Sequence, residues 1–202
     1  MNDRSMTPVA RWRSTLAASA VMAATVLGTG CASPTVADYA NRTPVLDIRQ
    51  YLNGELTAHG LFSDRSGSVK RRFVVQLTGT WSGSQGTLDE RFTYDDGQTE
   101  RRVWRITDEG NGRYTGRADD VIGVAEGHSA GNALRWRYTL ALPVDGTVRE
   151  VQFDDWMFLI DERVMLNLAS VSKFGFEVGR VTLSFDKKAV PIAVPATLKR
   201  AL

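Results

Sequence analysis

From about residue 55 to residue 186 the chain alternates apolar and polar side chains in short runs, and a cluster of turn residues ends each run. Phe73, Val75 and Leu77 share one face of such a run, and Leu134, Trp136, Tyr138, Leu140 and Leu142 share one face of another, with Arg135, Arg137 and Thr139 opposite. A period of two sends successive side chains to opposite faces of a strand, so each run has one dry face and one wet face. The runs are rich in Val, Thr, Tyr, Phe and Trp. They are separated by Asp64-Arg65-Ser66-Gly67, Ser82-Gly83-Ser84, Asp95-Asp96-Gly97, Asp108-Glu109-Gly110-Asn111-Gly112 and Asp145-Gly146, the turn chemistry of hairpins. This predicts eight to ten antiparallel strands with short turns and no helix long enough for a parallel crossover. The fold class is therefore all-β, a sandwich or an up-and-down barrel, and the barrel is favoured because closure hides every edge.

The N-terminal segment follows different rules. Arg11, Trp12 and Arg13 precede an apolar run from Leu16 to Leu27, broken only by Ser19 and Thr25, and then come Gly28, Thr29, Gly30 and Cys31. The run is shorter than the roughly 20 residues that span a bilayer core and ends in small residues, so residues 1–30 read as a cleaved signal peptide. Met6 serves equally well as the start. Leu27-Gly28-Thr29-Gly30-Cys31 resembles the lipobox of bacterial lipoproteins, although Gly28 stands where Leu or Val is usual. The alternative is simple secretion with an unpaired thiol in an oxidising compartment, a chemically awkward outcome. The resemblance implies acylation of Cys31 and a membrane partner through that lipid anchor. With Ala32 rather than Asp next to it, it also implies an outer-membrane location facing the periplasm.

Charge and cysteine content narrow the partners. The whole chain has 25 Lys and Arg against 23 Asp and Glu, but the leader holds Arg4, Arg11, Arg13 and Asp3, so 22 of each sign remain. A balanced domain lacks the cationic surplus that a phosphate backbone demands, so no nucleic-acid partner is expected. A single Cys excludes a disulfide framework and any Cys-rich zinc site. The hydrophobic fraction of 43% over this length fits one domain with a full core.

Residues 31–42 read as the lipidated Cys and a tether, because they lack an apolar period. Thr43-Pro44 is expected to open a short helix closed by Asn53-Gly54, with Val45, Ile48 and Leu52 as its packing stripe. The barrel domain is placed at 43–188, and 189–202, with Pro191 and Pro195, as an extended mobile tail.

Four segments carry a family resemblance: Asp95-Asp96-Gly97, Gly131-Asn132-Ala133-Leu134-Arg135-Trp136-Arg137-Tyr138, Phe153-Asp154-Asp155-Trp156-Met157 and Ser172-Lys173-Phe174-Gly175-Phe176. Over residues 45 to 186 the chain resembles a family of proteobacterial lipoproteins known only as a domain of unknown function. The resemblance implies a lipoprotein leader and a calycin-like barrel, and it brings no catalytic residue.

Catalytic motifs fare poorly. Gly127-His128-Ser129-Ala130-Gly131 matches the G-x-S-x-G nucleophile elbow by letter. However, a strand pattern rather than a helix follows the Ser, and no His lies downstream to activate it. His59 and His128, the two histidines, show no metal-ligand spacing. Arg101-Arg102-Val103-Trp104-Arg105 and Arg135-Trp136-Arg137-Tyr138 alternate basic and aromatic residues, which a strand explains by pointing the two types to opposite faces. No enzyme, cofactor or metal is expected.

The informative oddity is charge on dry faces. Glu90 alternates with Leu88, Phe92 and Tyr94; Arg102 with Trp104 and Ile106; Asp155 with Val151, Phe153, Met157 and Leu159. A buried charge needs a partner, so these three either pair inside the barrel, meet the head group of a ligand, or are flipped outward by a bulge. The candidate ligand-binding residues are Trp104, Trp136, Tyr138, Phe153, Met157, Glu90, Arg102 and Asp155. The leading functional expectation is an envelope lipoprotein that binds an apolar or amphipathic small molecule, such as a lipid, inside the barrel. The alternative is an interaction or assembly protein with a filled core.

Overall fold

The computed structural model describes residues 33–144 and 146–187. The leader, Cys31 and the tail from residue 188 lie outside the described residues.

Ten strands form a closed antiparallel barrel: β1 (Gly54–Asp64), β2 (Val69–Ser82), β3 (Gln85–Tyr94), β4 (Thr99–Gly110), β5 (Arg113–Arg117), β6 (Val121–Ala130), β7 (Ala133–Val144), β8 (Thr147–Leu159), β9 (Val164–Lys173) and β10 (Phe176–Lys187). Each strand pairs with its neighbours in sequence, and β1 closes the ring against β10, with Leu56 opposite Lys187 and Asp64 opposite Gly179. The strand count sits at the top of the expected range. Up-and-down connectivity follows from short turns, since a chain that reverses within a few residues can only lie beside the strand it has just left.

The dry faces point inward. Leu56 and Ala58 of β1, Val75 and Leu77 of β2, Leu88 of β3 and Met165 of β9 are buried in the main core. The wet faces carry cross-strand ion pairs, among them Arg101 Nε donating to Asp89 at 2.9 Å and Arg135 Nε donating to Asp154 at 2.7 Å. These pairs, with Arg135 also packed over the Trp156 ring, account for the basic–aromatic runs. An apolar inside and a charged outside are the inverse of a membrane-spanning barrel. No helix of the described residues is long and apolar enough to cross a bilayer.

One end of the barrel is plugged. The helix α1 runs from Ile48 to Tyr51, four residues later than Pro44 suggests. Asp47 is its N-cap and accepts from the backbone N–H of Arg49 at 2.9 Å and of Gln50 at 3.2 Å. Leu46, Ile48, Tyr51 and Leu52 are buried in the barrel core, whereas Val45, expected on that stripe, is exposed. Lys187 at the end of β10 donates through Nζ to the carbonyls of Tyr51 at 2.8 Å and Asn53 at 2.9 Å, satisfying the free end of the helix. Within the stretch expected to be a tether, Val36–Tyr39 forms a 3-10 turn, and the Tyr39 ring packs on Trp156 and Phe158 outside β8.

The G-x-S-x-G stretch is accounted for by packing. Ser129 lies within β6 and its N–H donates to the Gly112 carbonyl at 2.7 Å, so no strand-to-helix elbow exists here. Gly131 has a φ of +54°, and a Cβ there would stand 1.8 Å from the Tyr39 carbonyl oxygen. His59 and His128 point outward and are exposed, and among the described residues no cluster of His, Cys, Asp and Glu is suited to a metal.

Candidate ligand site: a one-ended cavity with a polar wall

The barrel encloses a cavity of about 450 Å³, within the range of small-molecule sites. Its floor is Ile48 and Leu52 of the plug. At the other end it reaches Leu142, Pro143 and Val178, and there it opens between the turns. At that end Phe174, in the β9–β10 turn, and Phe176, the first residue of β10, are 84% and 77% exposed.

The aromatic wall is built by register. Trp136 lies flat across β5 and β6 because both strands present glycine beneath it. A Cβ at Gly116 would stand 2.5 Å from the indole, and one at Gly127 would stand 2.4 Å from it. Trp104 meets Trp136 edge-on at 5.6 Å and Tyr138 edge-on at 5.3 Å, and Tyr138 stacks on Phe153 at 4.9 Å. Such offset and edge contacts fix ring positions beyond what area burial does. Met157 also lines the cavity.

All three charges of the dry faces point inward; none is flipped out. Glu90 and Arg102 face each other across β3 and β4, with Glu90 Oε2 and Arg102 Nη1 3.9 Å apart. The stronger partner of Arg102 is Asp120, in the turn between β5 and β6, which accepts from Nε at 2.8 Å and lies 2.8 Å from Nη2. Burial works against the charge of Arg102, but Asp120 and Glu90 outweigh it and hold the guanidinium firmly protonated. Asp155 stands opposite Trp136 on β7 and Ala169 on β9, with Asn167 of β9 beside it. Burial pushes Glu90 up to about 7, against the pull of Arg102 and of the Trp104 indole N–H. Asp155 is likewise pushed up to about 7 by burial, against the Asn167 amide. Tyr138 is raised by burial and by Asp155, so its hydroxyl stays neutral.

Five further polar groups belong to the site and were not singled out from the sequence. Asp120 and Asn167 complete the inner cluster. Arg71, Tyr94 and Glu100 gather nearer the mouth, where Tyr94 donates to Glu100 at 2.7 Å and Arg71 stacks 3.4 Å over the Tyr94 ring.

These features define a barrel of lipocalin-like fold: a closed antiparallel barrel around an apolar cavity with a few polar groups inside. The chain belongs to the family DUF3833, described as a protein of unknown function, whose model matches residues 25–187. It matches no curated protein. Among solved structures it is similar to the S-type phycobiliprotein lyase CPES from Guillardia theta, with a TM-score of 0.54 and 7% identity, covering 78% of this chain and 100% of that one. At that identity the likeness is one of fold. A second match is a protein of unknown function from the DUF3598 family of Nostoc punctiforme, with a TM-score of 0.45 and 13% identity, covering 73% of this chain and 51% of that one.

Proposed function

We propose that this protein is a lipid-anchored envelope protein whose barrel takes up an apolar or amphipathic small molecule, without chemistry of its own. The observation that carries the reading is the aromatic-lined cavity of about 450 Å³ inside the barrel. A fold built only to present an outer surface gains nothing from leaving such a volume inside, since close packing would stabilise it further. Apolar residues exposed around the mouth, Phe174 and Phe176 among them, suit the passage of an apolar molecule between cavity and surroundings. The similarity in fold to a phycobiliprotein lyase adds a barrel comparable in shape.

Binding is read most directly from tryptophan emission. Titrating the full-length protein with an environment-sensitive lipid probe is expected to give a saturable change, because Trp104 and Trp136 border the cavity. Phe153→Ala should weaken that binding by about 1–3 kcal/mol, the worth of a large apolar contact. Absence of saturable binding for every lipid class would turn the reading toward the interaction protein. The anchor is tested separately. Cys31→Ala is expected to move the protein from the membrane fraction to the soluble one, and retention after a high-salt wash would place the attachment elsewhere.

A further inference from the structure

We propose that the ligand of this cavity carries a head group that donates hydrogen bonds and bears no negative charge, a hydroxyl or amine amphiphile rather than a fatty acid. The inference rests on the ligand-binding reading above and names the class of ligand.

Two buried oxygens carry it. Asp155 and Asn167 are each 5% exposed, both line the cavity, and Asp155 Oδ1 and Asn167 Oδ1 have no hydrogen-bond partner within the protein. Buried acceptors without donors are costly, and two of them side by side on one wall form a socket for donors. Glu90, 9% exposed, adds a third carboxyl or amide oxygen bank on the same interior.

Two guanidiniums line the cavity and each already faces a carboxylate: Arg71, nearer the mouth, is paired through Nη2 with Asp96 at 3.2 Å while its Nε has no acceptor, and Arg102 is engaged deeper in. Arg102 spends Nε and Nη2 on Asp120 and turns Nη1 toward Glu90. With that guanidinium neutralised by Asp120, the charge on the inner wall around the two orphaned oxygens is zero or negative, set by Glu90 and Asp155. A carboxylate entering here meets like charge and two further acceptors, with the Tyr138 hydroxyl as the neutral donor near Asp155. An ammonium or hydroxyl instead satisfies the two orphaned oxygens, and the apolar chain behind it lies against Trp104, Trp136 and Phe153.

The test uses three probes that share one alkyl chain: dodecylamine, 1-dodecanol and dodecanoate, titrated at pH 7.5 into the full-length protein with tryptophan emission as readout. Dodecylamine and 1-dodecanol are expected to bind at least tenfold more tightly than dodecanoate. Asp155→Asn is expected to cost dodecylamine about tenfold while leaving dodecanoate unchanged or tighter. Glu90→Gln, on another strand, should shift the ratio the same way and serves if the first variant fails to fold. Dodecanoate binding as tightly as dodecylamine, or an amine-to-carboxylate ratio unmoved by both variants, would overturn the head-group assignment while leaving ligand binding intact. If none of the three probes saturates, the ligand-binding reading itself falls.

Discussion

Arg102→Leu is expected to lower the free energy of unfolding by about 3 kcal/mol at pH 8, the low end of what breaking a buried ion pair costs. The guanidinium ties two strands and a turn: β4 carries it, β3 brings Glu90, and the β5–β6 turn brings Asp120. Leucine leaves Glu90 buried without a cation. Asp120 suffers less, since its side chain is partly exposed and turns to water. That asymmetry makes the loss dependent on pH. Near pH 5 Glu90 takes up a proton and no longer needs the cation, so the penalty should shrink. Urea unfolding of Arg102→Leu at both pH values reads this directly. Adding Glu90→Gln should recover much of the stability lost at pH 8, and no recovery would mean that Asp120 alone is the partner that matters.

Stability is expected to fall as pH rises from 5 to 8, by about 4 kcal/mol in all. Glu90 and Asp155 are both pushed up to about 7 by burial. A carboxyl whose pKa is higher in the folded chain binds more protons when folded, so acid favours the fold. Its contribution is complete below the unfolded value of about 4 and is lost as pH climbs through about 7. Asp89, held low by Arg101, and Asp95, held low by Arg72, work in the opposite sense, but only below the ordinary carboxylate range. Maximum stability should therefore lie near pH 5, lower than for most proteins. Asp155→Asn should remove about half of the slope and raise stability at pH 8. A flat profile between pH 5 and 8 would show that both carboxyls find partners or solvent on folding.

The barrel was legible because its signal is redundant. Ten runs repeat one period, and each of Trp104, Trp136, Tyr138, Phe153, Met157, Glu90, Arg102 and Asp155 lies on the inner face that alternation assigns it. What alternation does not contain is who meets whom. Asp120 sits in a turn, outside any strand period, and reaches Arg102 only because β5 is short and brings that turn over the barrel wall. Arg71, Tyr94 and Glu100 come together through the pairing of three strands, which depends on register. Asn167 was readable in principle, an amide between Met165 and Ala169 on a dry face. The helix does not start at Thr43-Pro44, although that pair has the composition of a cap. Asp47, a carboxylate able to accept from two backbone N–H groups, takes that role instead.

Closure of the ring by its first and last strands also governs when the barrel can exist. Leu56 pairs with Leu77 on one side, but across the seam its partner is Lys187, so nearly the whole domain must be available before the seam is made. Until β10 is in place, β1 and β9 both present unpaired edges. Pairing across such a sequence separation carries a high loop-closure cost and folds slowly. For a chain threaded through a translocation channel in extended form, as the proposed envelope location requires, that delay is useful. Hairpins that have already crossed can form and dissolve, and the commitment to a native state waits until the last strand has crossed.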